Sequence, residues 1–73
     1  MKGGVFMLNK QDKIVLDFLK NHFANSNKSL VDFEIYIYGL NSDEIIESLY
    51  NLERYKEITA EKYIHLTVTG IND

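Results

Sequence analysis

Few side chains in this sequence have catalytic or metal-binding potential, and they lie far apart. The two histidines, His22 and His65, are separated by more than half of the chain, and there is no cysteine. A metal site needs several such ligands at close spacing, and the sequence contains no such set. The serines lie in no nucleophile-elbow pattern, and Gly3-Gly4 has no phosphate-binding lysine at the required spacing. We therefore expect a protein that is not an enzyme and that uses neither a metal nor a cofactor.

Six other side chains have the chemistry of macromolecular recognition: Lys13, Glu47, Tyr50, Asn51, Arg54 and Lys62. Asn51 and Arg54 are of the types that read base edges in DNA. The lysines are cations suited to phosphates, although a solvated face of mixed charge would also contain them. Tyr50 can stack on a base or anchor a protein contact. Glu47 acts against DNA, because it would place negative charge beside the phosphates.

Length and composition limit the fold that positions these residues. A chain of 73 residues has room for one domain with a small core. Its hydrophobic fraction of 45% and charged fraction of 26% are typical of globular proteins. The net charge of −3 provides no long-range attraction for nucleic acid or anionic lipid. DNA binding would therefore require a local basic patch.

The N-terminal run Val5-Phe6-Met7-Leu8 is too short for a signal-peptide core or a membrane span. A cytoplasmic protein without membrane contact is therefore expected. The run either packs over the first helix or forms the interface of a homodimer, and we expect the dimer. We assign residues 1–8 to this arm, 9–70 to the domain and 71–73 to a C-terminal tail.

Two segments have the periodicity of amphipathic helices. The first runs from about Lys10 to Ala24, with Asn9 as its N-cap and Asp12 in its first turn. Its apolar stripe consists of Ile14, Val15, Phe18, Leu19 and Phe23.

The second helix is predicted to follow a turn at Gly39 and to extend to about Tyr55. Asn41 and Glu44 have the spacing of a capping box at its start. Its stripe consists of Ile45, Ile46, Leu49 and Leu52, and the opposite face displays Asp43, Glu47, Tyr50, Asn51 and Arg54. We expect Leu49 and Leu52 to be buried against Phe18, Leu19 and Ile58.

The segment between these helices, Leu30 to Leu40, is ambiguous. Phe33, Ile35 and Ile37 alternate with polar or tyrosine residues as in a strand, but helical spacing fits equally well. The capped helix that follows favours a short helix over residues 31–38, with Leu30 pairing with a C-terminal hairpin.

That hairpin is predicted from Glu57–Thr59 and Lys62–Leu66, which are strand-like runs around a tight turn at Ala60-Glu61. Gly70 is expected to end regular structure. Tyr55 and Tyr63 are assigned to the core and Tyr50 to the surface.

The order helix, helix, turn, helix, hairpin resembles the winged helix-turn-helix superfamily. The run Ser48-Leu49, Leu52-Glu53, Ile58, Tyr63, Leu66-Thr67 and Gly70 is similar to the pattern that closes many bacterial winged helices. The resemblance covers roughly residues 10–70. It implies a mostly α single domain with a small hairpin. It also implies DNA binding in the major groove through the third helix, which is the predicted helix that begins after Asn41 and ends near Tyr55. The chain departs from the pattern at Lys56-Glu57, where such families often have a glycine.

Two functions remain open at this point. One is a DNA-associated accessory or transcriptional regulatory protein, as the resemblance implies. The other is a winged-helix protein-interaction module that does not bind duplex DNA. The alternative arises because Asp43 and Glu47 place negative charge on the third helix, near the end that approaches DNA most closely.

Overall fold

The computed structural model describes residues 8–72 and contains two α-helices and a three-stranded antiparallel sheet. The elements in chain order are α1 (Lys10–Asn25), β1 (Leu30–Val31), a 3₁₀ turn (Asp32–Glu34), α2 (Ser42–Arg54), β2 (Ile58–Lys62) and β3 (Leu66–Ile71). Strand β3 lies in the centre of the sheet, in the order β1-β3-β2. The fold is mixed α/β, with more strand and less helix than the mostly α domain predicted. The N-terminal arm and its expected dimer contact lie outside the described residues, except for Leu8, which packs against the core.

Helix α1 begins where its capping residues predict. The Asn9 side chain accepts the Asp12 N–H at 2.7 Å, and the Asp12 carboxylate accepts the Asn9 N–H at 3.3 Å, which completes a capping box. The predicted stripe is rotated slightly, because Leu16 is buried and Ile14 is 41% exposed.

Helix α2 is also capped as predicted, by reciprocal hydrogen bonds between Asn41 and Glu44 at 2.8 and 2.9 Å. Its apolar face enters the single core. Leu49 and Leu52 are fully buried, and they belong to one cluster with Leu19 and Ile58, against which Phe18 packs. The expectation for these side chains is confirmed.

The predicted helix over residues 31–38 is wrong. Only Asp32–Glu34 form one 3₁₀ turn, and the preceding residues pair with β3 as Leu30↔Val68 and Val31↔Thr67. The pairing of Leu30 with the hairpin is therefore confirmed. The Glu34 carboxylate accepts the Val31 N–H at 2.9 Å, which caps the start of this 3₁₀ turn.

The hairpin turns later than predicted. Strand β2 continues through Ala60-Glu61 to Lys62, the loop is residues 63–65, and β3 passes through Gly70 to Ile71. A register shift between Thr59 and Ala60 accompanies the longer strands.

Two of the three tyrosine assignments are wrong. Tyr63 and Tyr55 were assigned to the core, but they are 76% and 37% exposed. The surface assignment of Tyr50 is confirmed.

A left-handed residue, Lys56, follows the end of helix α2 at φ 63°. The Lys56 N–H donates to the Glu53 carbonyl at 3.0 Å, and the Glu57 N–H donates to the Leu52 carbonyl at 2.9 Å. This is the hydrogen-bond pattern of a Schellman motif, whose left-handed position usually contains glycine. Lys56 therefore occupies the position where glycine is usual, and the hydrogen bonds that end the helix still form.

We predict that Leu49→Ala lowers the free energy of unfolding by about 2–5 kcal/mol, because it leaves a cavity in the core. Ile64→Ala is the control, since this side chain is 94% exposed and its loss should cost less than about 0.5 kcal/mol. Urea unfolding measures both. Equal stability of Leu49→Ala and the parent protein would contradict the packing of α2.

We predict that Lys56→Gly raises the free energy of unfolding by roughly 0.5–1 kcal/mol, because glycine adopts the left-handed conformation without a Cβ clash. The matched control is Lys20→Gly in the interior of α1, which should lower stability by about 1 kcal/mol. Thermal and urea unfolding of the two variants should move in opposite directions. A loss in both would rule out strain at Lys56.

Candidate functional site

Among the six predicted binding residues, the structure brings Tyr50 and Lys62 together. Lys13 is exposed on α1, and Glu47, Tyr50 and Arg54 are exposed on α2. Lys62 ends strand β2, and its ammonium group lies 5.0 Å from the centre of the Tyr50 ring. The same ammonium is 3.4 Å from a Glu53 carboxylate oxygen. The charge of Lys62 is thus partly balanced within the domain.

Asn51 faces α1 and does not belong to the outer face of α2. Its amide nitrogen donates to the two carboxylate oxygens of Asp12, at 3.5 and 3.4 Å. Asp12 is only 1% exposed. Beside this pair, Gln11 donates to the Ser48 hydroxyl at 2.8 Å and to the Glu44 carbonyl at 2.9 Å. Asn51 is therefore half-buried between the two helices and not displayed on the outer face of α2 as expected, and its base-reading role stays a prediction.

Charge is unevenly distributed along the chain. The segment of residues 29–53, which runs from before β1 almost to the end of α2, contains no lysine or arginine. It contains six carboxylate residues: Asp32, Glu34, Asp43, Glu44, Glu47 and Glu53. Lys10, Lys13 and Lys20 lie exposed on α1. We call residues 29–53 the acidic segment.

Three strongly exposed apolar side chains lie where the β2–β3 loop meets the 3₁₀ turn. Ile64 is 94% exposed, Tyr63 76% and Phe33 69%. The rings of Phe33 and His65 pack edge to face, with centroids 5.0 Å apart and planes at 87°. We call Phe33, Tyr63, Ile64 and His65 the hairpin-tip cluster. Tyr36 and Tyr38, in the connection to α2, are also exposed.

Several polar contacts order the cluster. The Asp32 carboxylate accepts the Leu66 N–H at 3.2 Å and lies 3.6 Å from the His65 Nδ1. The Tyr63 N–H donates to the His65 carbonyl at 3.2 Å across the loop. The Tyr63 hydroxyl donates to a Glu61 carboxylate oxygen at 2.6 Å. This hydrogen bond and the negative charge of Glu61 raise the pKa of Tyr63 above its usual value.

The prediction from sequence missed this cluster because it assigned Phe33 to a helix and Tyr63 to the core. One signal was available. Tyr63 and Ile64 are adjacent, and successive side chains of a strand point to opposite faces, so both could not enter one core.

Other parts of the described chain offer less chemistry. Within residues 8–72 there is no group of three or more His, Cys, Asp or Glu side chains placed to hold a metal ion. An open cleft of about 490 Å³ is lined by Lys20, Phe23, Ala24 and Ile71. It lacks the convergent polar groups of a specific small-molecule site. Neither described helix has the length and apolar character needed to cross a membrane.

No protein-family model matches this chain, and neither the curated proteins nor the solved structures include a significant match to it.

We predict that Asn51→Ala lowers the free energy of unfolding by about 1–2 kcal/mol, because the buried Asp12 loses a donor. Alanine is the better helix former, so helix propensity cannot explain a loss. Arg54→Ala, one turn away and exposed, is the control and should change stability by less than about 0.5 kcal/mol. If Asn51→Ala leaves the free energy of unfolding in urea unchanged, the contact with Asp12 does not stabilise the fold. Asn51 would then be a candidate for binding a partner.

Proposed function

We propose that this chain is a non-catalytic protein-interaction module of the winged-helix type, with the hairpin-tip cluster as its contact surface. The element order of helix, strand, short turn, helix and hairpin supports the winged-helix assignment. In this assignment the 3₁₀ turn Asp32–Glu34 occupies the position of the second helix, and α2 corresponds to the third.

The exposure of the hairpin-tip cluster is the observation that carries the proposal. In a winged helix that binds DNA, the wing contacts the nucleic acid, and basic side chains are suited to that contact. Here the loop places Tyr63 and Ile64 in solvent, at 76% and 94% exposure. Exposed apolar groups concentrated at one place mark interaction sites, and aromatic side chains often supply most of the energy at protein interfaces.

The outer face of α2 supports the same choice. Glu47 is exposed there, Asn51 is bonded to Asp12 and Lys62 is paired with Glu53. Of the residues expected to favour DNA on this side, Arg54 and Lys62 are exposed, and the charge of Lys62 is shared with Glu53. Arg54 lies at the C-terminal end of the helix, so Glu47 would meet the phosphates with only partial compensation.

A DNA-associated regulatory function is the second candidate, and the exposed lysines of α1 favour it. Lys10, Lys13 and Lys20 would contact phosphates through α1, with α2 away from the groove. This mode predicts weak binding without sequence preference, because phosphate contacts carry no base information.

We predict that Ile64→Asp abolishes partner recovery when the full chain is immobilised in an extract of its source cells. The new charge would have to be buried unpaired in the interface. Asn21→Asp adds the same charge on the exposed surface of α1 and should leave recovery unchanged. Quantitative mass spectrometry compares the bound proteins, and thermal melting confirms that both variants fold. Identical recovery by the parent and Ile64→Asp would refute the proposal.

Anisotropy of a labelled DNA duplex at about 50 and 200 mM salt tests the second candidate in the same samples. The proposed function predicts no duplex binding in this range. Binding that falls steeply with salt and is lost in Lys13→Ala would establish the DNA function in its place.

A further inference from the structure

We infer that the hairpin-tip cluster binds a basic apolar segment of a partner protein, in which arginine or lysine residues flank aliphatic or aromatic ones. This inference rests on the proposed function and adds the chemistry of the partner. It follows from the charges that surround the exposed apolar side chains.

Carboxylates flank the cluster on both of its chain segments. Glu34 is exposed and follows Phe33 in the 3₁₀ turn. Glu61 is exposed and bonded to the Tyr63 hydroxyl at 2.6 Å. Each uses one oxygen in the hydrogen bond described, so each retains acceptor capacity for a cation. A partner with positive charge on either side of its apolar residues would complement both carboxylates.

The nearest lysine in the chain offsets this negative charge only in part. Lys62 is adjacent to Tyr63, but its ammonium is 3.4 Å from Glu53 and lies over the Tyr50 ring. The 3₁₀ turn belongs to the acidic segment, which contains no lysine or arginine. An acidic peptide, DNA or an anionic lipid surface would meet like charge at this position.

The aromatic rings favour cations for a second reason. Phe33 and Tyr63 are 69% and 76% exposed, so ring surface is accessible to a guanidinium or ammonium group. Such cation–π contacts strengthen as the partner excludes water. Arginine suits the surface best, because it can stack on a ring while its fork reaches a carboxylate. Ile64, at 94% exposure, would supply the aliphatic contact.

A random peptide library displayed on phage tests the inference with a defined probe. The full chain and the Ile64→Asp variant are immobilised in parallel, and peptides enriched on the parent relative to the variant are sequenced. We expect enriched peptides to combine aliphatic or aromatic residues with an excess of arginine and lysine. Enrichment of neutral or acidic peptides that still depends on Ile64 would overturn the partner chemistry and leave the proposed function standing. Absence of any peptide that depends on Ile64 would overturn both.

Synthetic copies of the best peptide measure the contribution of charge. Glu34→Gln combined with Glu61→Gln keeps one acceptor oxygen at each position and removes both charges, and it should weaken binding roughly threefold or more. Asp17→Asn removes an exposed charge on α1 and should leave the dissociation constant unchanged. Equal affinities of the doubly substituted variant and the parent would contradict the assignment of a basic partner.

Discussion

The carboxylate of Asp32 joins the two parts of the chain on which the candidate surface depends. It accepts the Leu66 N–H at the start of β3, lies beside the His65 ring and is only 10% exposed. The main-chain carbonyl of the same residue accepts the Ile35 N–H at 3.2 Å. One residue thus closes the 3₁₀ turn and attaches it to the base of the hairpin loop. Phe33 packs against His65 because both chain segments are held there.

The pairing of β1 with β3 helps to explain why the predicted middle helix is missing. A helix over residues 31–38 would require Val31 to leave its pairing with Thr67, where its backbone is extended. Ile35 is buried in the core, next to a turn whose backbone is already bonded by Asp32 and Glu34. The strand pairing outweighs the helical spacing of the apolar residues at Val31. Periodicity fitted a helix and a strand equally over the ambiguous segment, and residues 35–41 form neither.

The predictable parts of the fold are those with local causes. Asn9 and Asn41 supply N-caps through contacts only three residues long, so both helix starts could be found in the sequence. The position of the hairpin turn has no such local cause. Strand β3 places Leu66 and Val68 in the core, and β2 pairs with it across a register shift. That pairing moves the turn to residues 63–65.

The sequence predicted the types of the candidate binding residues and some of their positions, but not the partners that they find within the fold. Periodicity placed Glu47, Tyr50 and Arg54 on the surface of α2, where the structure has them. It could not show that Asn51 would find a buried carboxylate or that Lys62 would find Glu53, because these partners come from other elements. Both contacts give side chains expected to favour DNA a partner within the domain. Phe33 and Tyr63 were assigned to a helix and to the core, yet both are exposed, one in the 3₁₀ turn and the other in the β2–β3 loop.

The central claim is that the hairpin-tip cluster, and not the outer face of α2, is the contact surface. The most direct measurement is the change in backbone amide chemical shifts of the isotope-labelled full chain as a bound partner segment is added. The proposed function predicts that the largest changes map to residues 32–34 and 61–66, with the signals of Glu47 and Arg54 unmoved. Changes concentrated at Glu47 and Arg54, with residues 61–66 unaffected, would contradict it.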